Sequence, residues 1–408
     1  MDIIDGGITA PKGFLAAGRH IGVKKVKKDL SLVESESLAE AAGVFTQSAV
    51  KAAPVLWDME LMEKGYKIKG IVTVSGNANA CTGKQGKLDN EAVAETFAKC
   101  MGTSKENVFT AATGVIGEPM PMETIKNGIL STYPFLGKGY VASKDAAAGI
   151  ITTDTFLKEI AVEINIGGKS VKIGAMAKGS GMIHPNMATV LAFITTDASI
   201  SGKLLNKALK SAVYETYNMI SVDGVTSTND MALILANGMA GNQKIAEENK
   251  DYEKFYEAVL YVNKKLATDI VKDGEGASKM LKVNVFGAKD KETARVLAKS
   301  VVSNNLVKVA LFGEDANWGR VLAAMGGSGA NFDSEIIDIV YKNEKGEIAL
   351  MKNGSPVGFD EKAASEILKQ PEITIQINLN CGDASASAYG CDLGYKYIKI
   401  NGEYRSRR

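Results

Sequence analysis

Two histidines, His20 and His184, are all the imidazole that 408 residues carry. Zinc sites with several imidazole ligands, HExxH proteases and most histidine-dependent triads are hard to build from so few. A catalyst made from this chain would move protons with another group, and Thr189 offers one. It stands in Lys178-Gly-Ser-Gly-Met-Ile-His-Pro-Asn-Met-Ala-Thr-Val-Leu-Ala-Phe193, where a loop punctuated by Gly and Pro passes without spacer into an apolar run. A threonine whose own α-amine is freed needs no histidine, because that amine, with an unperturbed pKa of about 8, can accept the hydroxyl proton. Freeing it means cutting the Ala188–Thr189 bond. The Thr hydroxyl could attack the Ala188 carbonyl and give an ester that water resolves, provided a strained loop pinned against a rigid strand presents the peptide. Strands also begin after loops with no chemistry at all, and this stretch alone favours that plainer reading. His184 reads as a loop residue or hydrogen-bonding partner rather than as the base.

Other stretches carry polar groups among glycines. In Thr110-Ala-Ala-Thr-Gly-Val-Ile-Gly-Glu-Pro119, Thr113 and Gly114 fall where a strand-like run gives way to a turn before a helix. Backbone amides there, beside a hydroxyl, are what an oxyanion hole requires, although an ordinary glycine turn has the same spacing. Asp273-Gly-Glu-Gly-Ala-Ser-Lys279 makes Gly274 a candidate helix C-cap. Glu275 between two glycines also fits a close backbone approach to a polar ligand. Gly76 to Gly86, GNANACTGKQG, has six residues between Gly76 and Gly83, and Gln85 follows Lys84, so it departs from the phosphate-loop pattern. An Asn-rich tight turn is the better reading. GEDANWGR, 313 to 320, after a strand, fits either a polar site or a structural turn, and a structural role is slightly favoured.

Composition narrows the class. Apolar residues at 45% and charged residues at 23% describe a globular chain, and Lys plus Arg (48) against Asp plus Glu (47) leaves a net charge of +1. No global field favours a polyanion, so nucleic acid is not expected as a partner. The N-terminus lacks the basic and apolar regions of a signal peptide, and no apolar run approaches the ~20 residues of a membrane span. A cytoplasmic enzyme is expected, with no membrane partner and no metal. Cys81, Cys100, Cys381 and Cys391 form no CxxC pair and are expected as buried, reduced thiols.

These groups need elements to hold them. Period-two or continuous apolar runs predict strands at Gly70–Val74, Val171–Met176, Thr189–Ile194, Leu306–Phe312, Ile373–Leu379 and Tyr395–Ile400. Phe255, Val259, Val262, Leu266 and Ile270 make one helical stripe, and Leu205, Leu209, Ala212, Thr216 and Met219 a second. Shorter helices are predicted near Glu123–Leu130, Ser143–Ile150 and Glu292–Val302. Strands and helices interleave throughout, which predicts a layered α/β (α+β) fold without repeats or a flexible linker.

Many motifs in order resemble one family. ITAPKGF near the start, SGNANACTG at 75–83, ATGVIGEP at 112–119, TTDT at 152–155, KGSGMIHPNMAT at 178–189, DGVTSTND at 223–230, DGEGASK at 273–279, GEDANWGR at 313–320 and AYGCDLGYKYIKINGEYRS at 388–406 look like those of the ornithine acetyltransferase family. It is also called glutamate N-acetyltransferase, or the bifunctional arginine-biosynthesis proteins of the ArgJ type. The resemblance implies the layered ArgJ/DmpA-like fold with self-processing of the N-terminal-nucleophile kind. It implies cleavage between Ala188 and Thr189 into an α chain, 1–188, and a β chain, 189–408, assembled as an α2β2 heterotetramer. Thr189 would take the acetyl group from N2-acetyl-L-ornithine and pass it to L-glutamate in ping-pong order, with Thr113 and Gly114 stabilising the oxyanion. Thr152, Lys178, Thr189, Glu275, Asn401 and Ser406 match the family's substrate-binding positions, with Thr153 hard to separate from Thr152. No bound cofactor is implied, and acetyl-CoA is left open as a co-substrate. Leu157, Val190 and Ala316 depart from the usual pattern, and Arg407-Arg408 extend past its usual end. The alternative is an N-terminal-threonine aminopeptidase or amidohydrolase, which hands the acyl group to water. A relative that binds ligand without processing is the reading of another class.

Overall fold

Every residue of the strands Leu191–Thr196 and Met231–Ala236 is buried, as strands covered on both faces must be. In the computed structural model, which describes residues 1–184 and 190–403, these two run parallel, with Leu191 opposite Met231 and Thr196 opposite Ala236. They sit inside a sheet of nine described strands. Its order is Asp2–Ile4, Lys158–Ile166, Lys169–Lys178, Leu191–Thr196, Met231–Ala236, Leu30–Phe45, Ile68–Asn77 and Val108–Val115, with Phe14–Arg19 also paired to Leu30–Phe45. Successive side chains go to opposite faces. Ala192 and Ile194 join the core formed with helices Gly202–Glu215 and Lys250–Lys272. Leu191 and Phe193 join a second core with Val55, Leu61, Ala146 and Ile150.

The long helix follows the predicted stripe: Phe255, Val259, Val262, Leu266 and Ile270 are all fully buried. Burying each such side chain is worth about 1.5–3 kcal/mol. The Asn249 side chain accepts from the amides of Asp251 and Tyr252 and starts the helix. It ends at Lys272 with Asp273 as C-cap; Gly274 comes one residue later, without left-handed geometry.

A sheet of seven described strands follows, ordered Ser355–Pro356, Gly346–Lys352, Asp338–Asn343, Glu372–Asn378, Met280–Ala288, Ala384–Cys391 and Ile220–Ser221. Ile373, Ile375, Ile377 and Leu379 fill its core together with Leu297 and Val301 of the helix Lys291–Ser303. The fold is mixed α/β and layered, as expected.

Two predicted strands are helices. Leu306–Phe312 lies in the helix Asn305–Phe312, started by the Asn304 side chain, which accepts from the amides of Leu306 and Val307. GEDANWGR therefore follows a helix. Tyr395–Ile400 lies in the helix Tyr395–Gly402, which begins directly after Gly394. The thiols also differ from expectation: all four are free, yet only Cys391 is buried, while Cys81 and Cys381 are exposed. The strand expected at Thr189–Ile194 is Leu191–Thr196, and Thr189 lies outside the described residues. No helix among them is long and apolar enough to cross a membrane.

Candidate active site

The parallel strands Ile68–Asn77 and Val108–Val115 place Gly76 opposite Gly114. Both have left-handed φ, +118° and +139°. A Cβ on Gly114 would lie 2.3 Å from the Gly76 carbonyl carbon, so only glycine fits there. This close approach fixes the strand end, and Thr113 lines a cleft of about 350 Å³. The Asn229 side-chain amide braces the same corner by donating to the carbonyls of Ala78 and Ala112, at 2.6 and 2.8 Å. Lys178, at the end of its strand, donates from Nζ to Thr113 Oγ1 at 3.3 Å.

Glu275 faces the same cleft from the loop after the long helix. It is buried to 8% exposure and accepts from Asn401 Nδ2 at 2.7 Å. Among the described residues no lysine or arginine forms an ion pair with it. Its amide donates to the Ser180 carbonyl, and Gly181 leaves room for its carboxylate, which a Cβ there would meet at 2.4 Å. Asn401 comes from the helix that had been expected as a strand, and its one-turn neighbour Tyr397 donates from Oη to Asp223 Oδ2 at 3.3 Å.

A buried ionic network stands behind these groups. Lys158, fully buried, donates from Nζ to Asp154 at 2.7 Å and to Asp273 at 2.5 Å. Asp154 also accepts from the amides of Gly179 and Thr152, and Asp273 from the amide and hydroxyl of Thr155. Burial pushes the Asp154 carboxyl up, but the charges of Lys178 and Lys158 with these hydrogen bonds outweigh it and hold the group well below the usual carboxylate range. One network therefore ties the Thr152 loop, the Lys178 strand end and the Glu275 loop together.

The loop leading toward Thr189 is held on both described sides. The amides of Met182 and Ile183 donate to the two oxygens of Asp223, at 2.6 and 2.8 Å. Met182 has φ +56°, an uncommon conformation for a side chain of its size. The His184 carbonyl accepts from Thr226 Oγ1, and its Nδ1 lies 3.1 Å from Ser221 Oγ. Burial first, with the Lys299 charge second, lowers the His184 pKa to about 4. On the far side the Val190 carbonyl accepts from the Met231 amide at 2.9 Å, and Val190 and Leu191 line the cleft.

Thr113, Gly114, Thr152, Lys178, Glu275 and Asn401 thus converge on one cleft, with Thr153 beside Thr152. Ala188, Thr189 and Ser406 lie outside the described residues. GNANACTGKQG is a turn in which Asn79 and Cys81 take left-handed φ, leading into the helix Gly83–Met101. GEDANWGR does not line the cleft; Asn317 caps the helix Trp318–Gly326. Sequence reasoning missed Asp154, Lys158, Asp223 and Asn229 as supports. The one available signal was Asp154 and Lys158 four residues apart beside TTDT. Among the described residues no group of three or more His, Cys, Asp or Glu is placed to hold a metal.

The model of the ArgJ family matches residues 15–406. The chain is 52% identical to the arginine biosynthesis bifunctional protein ArgJ of Caldanaerobacter subterraneus subsp. tengcongensis over 408 residues, all of both chains. It is 49% identical to that of Thermotoga neapolitana over 397 residues, covering 97% of this chain and 99% of the relative. The crystal structure of the protein of that name from Bacillus halodurans, 42% identical, aligns with a TM-score of 0.50 over 53% of this chain and all of that one. Fold, cleft and kinship define an acyltransferase. The chain belongs to the ArgJ family.

Proposed function

We propose that this chain moves the acetyl group of N2-acetyl-L-ornithine to L-glutamate in arginine biosynthesis, after cutting itself between Ala188 and Thr189. The observation that carries the reading is the single cleft on which Thr113, Gly114, Lys178 and Glu275 converge, walled by Val190, the residue that follows Thr189. The left-handed φ of Met182 and the Asp223 clamp on the Met182 and Ile183 amides also support the reading.

In the cut enzyme the free amine of Thr189 takes the proton of its own hydroxyl, and Oγ1 attacks the acetyl carbon. The amide of Gly114 and the hydroxyl of Thr113 donate to the oxyanion. A lysine ammonium has donors only, so Thr113 Oγ1 accepts from Lys178 and its own proton stays available for the oxyanion. Collapse expels the ornithine amine with the proton. The neutral amine of glutamate then attacks the ester carbonyl, the bond to Thr189 Oγ1 breaks, and the proton lost by the amine returns through the Thr189 α-amine to Oγ1. Glu275, buried without a cation among the described residues, pairs with a ligand ammonium, and Lys178 with Thr152 or Thr153 holds the carboxylate. Both substrates share the α-carboxylate, and because the α-nitrogen of acetylornithine is acylated, its δ-ammonium is the cation left for Glu275 to meet. We further propose chains 1–188 and 189–408 paired as α2β2 in the cytoplasm, Ser406 as a substrate contact, and acetyl-CoA as a second donor, with no bound cofactor.

Intact-mass analysis of the purified protein should give two polypeptides, the second beginning at Thr189. It should gain one acetyl group on Thr189 after brief mixing with acetylornithine, and Thr189→Ala should stay uncut and inactive. An intact, unacetylated chain with full activity would sink the reading. Ornithine release at the same rate without glutamate would instead point to an amidohydrolase.

A further inference from the structure

The segment Lys24-Lys-Val-Lys-Lys28 puts four lysines in five residues in a chain whose net charge is +1. Its acidic neighbour does not offset them at the surface. Asp29 is fully buried and accepts from the amides of Ile21, Gly22 and Lys24, at 2.6, 3.2 and 2.8 Å. Lys28 is paired with Asp145. Among the described residues no carboxylate forms an ion pair with Lys24, Lys25 or Lys27. The loop adjoins the cleft at two places. Lys27 Nζ donates to the carbonyl of Thr152 at 3.2 Å, and Thr152 lines the cleft. On the other side the stem of Lys24 lies over Gly76, whose Cβ would come within 3.1 Å of Lys24 Cγ, and Gly76 is the register partner of Gly114.

Lys24 Nζ is anchored between the carbonyls of Lys28 and Ile151, at 2.8 and 2.6 Å. Burial first, opposed by Asp29 and assisted by the charges of Lys27 and Lys178, lowers its pKa to about 8. Lys24 thus lies in the fields of both Lys178, which lines the cleft, and Lys27, and Lys25 and Lys27 are exposed on the same loop. A cleft of about 350 Å³ holds an acetylated amino acid. A donor that carries its acetyl group on a larger, phosphorylated handle must lay that handle across the rim, and this rim is positive.

We propose that Lys24, Lys25 and Lys27 form an anion subsite at the cleft mouth that binds the phosphate-bearing handle of an acyl thioester donor. The inference rests on the acetyl-threonine reading above. In the step it serves, Thr189 Oγ1 bonds to the thioester carbonyl carbon while its proton passes to the α-amine. The C–S bond then breaks, the thiolate takes that proton and leaves as a thiol, and the acetyl ester remains for glutamate.

The test compares two donors on the processed enzyme and on its Lys25→Gln/Lys27→Gln variant, with glutamate as acceptor. Acetyl-CoA carries the phosphates; S-acetyl-N-acetylcysteamine has the same thioester and none. The subsite predicts that the variant's preference for acetyl-CoA over the short thioester, as a ratio of kcat/KM, falls about tenfold, the size expected for two exposed ion pairs. It also predicts that added salt erodes the preference of the unmodified enzyme more than that of the variant. An unchanged ratio, or equal losses for both donors, overturns the subsite. So does an unmodified enzyme that takes acetyl from neither thioester, and transfer from acetylornithine to glutamate by that same preparation would then leave the acetyl-threonine reading standing.

Discussion

Thr113 Oγ1 accepts from Lys178 beside the close strand pair of Gly76 and Gly114, and that contact does not use its own hydroxyl proton. Thr113→Val keeps the shape and removes the donor. It should lower kcat about 10²- to 10³-fold, the loss expected for one oxyanion donor, while KM for acetylornithine moves less than about threefold. Steady-state kinetics checks this, and a change confined to KM would refute the oxyanion role. The folded pKa of His184, about 4, lies below the ordinary 6.5, so the unfolded chain takes the proton first. Its contribution to stability is full above pH 6.5 and is lost as pH falls toward 4. NMR of the two histidine rings should show one titrating near 4; both midpoints near 6.5 would contradict the buried neutral ring.

At the scale of elements, three segments far apart in sequence are joined by Lys158, Asp154 and Asp273. Removing one member of a buried ion network leaves a charge without compensation, at a cost of roughly 3–5 kcal/mol. Asp154→Asn should therefore destabilise the protein by about 3 kcal/mol in denaturant unfolding, and a loss below ~1 kcal/mol would show that the network matters little. The sign with pH follows from a carboxyl held below its ordinary 3.8. Its stabilisation is present above about pH 4 and is lost as pH falls below that, so the variant should lack this part of the acid limb. Two segments whose apolar pattern suits a strand are helices. Leu306-Val-Lys-Val-Ala-Leu-Phe312 is a short apolar run, and periodicity alone cannot tell a buried strand from a helix at that length. Asn304 ahead of it and Gly313 behind it were the helix signals. Tyr395 to Ile400 alternates as a strand would, yet Tyr397 and Asn401, one turn apart, are the residues that reach Asp223 and Glu275.

For the whole molecule, the larger sheet interleaves the two sides of the proposed cut. Leu191–Thr196 lies between Lys169–Lys178 and Met231–Ala236, which itself pairs with Leu30–Phe45. Cleaving one peptide there leaves these ladders and the cores on both faces intact. The two chains should therefore co-elute in native size-exclusion chromatography and separate only in denaturant; separation in native buffer would contradict the pairing. Legible in the chain alone were the layered α/β class, the long amphipathic helix, the scarcity of histidine that leaves Thr189 as a candidate nucleophile, and the ordered motifs of the ArgJ family. Each of these is a matter of local pattern or residue type, which needs no knowledge of what lies across the fold. Packing in three dimensions is what brings Thr113, Lys178, Glu275 and Asn401 to one cleft, ties their supports together through Lys158, and sets Lys27 against Thr152. Those contacts join residues up to 126 positions apart. Their geometry is set by sheet order and by where helices end, which no local spacing encodes.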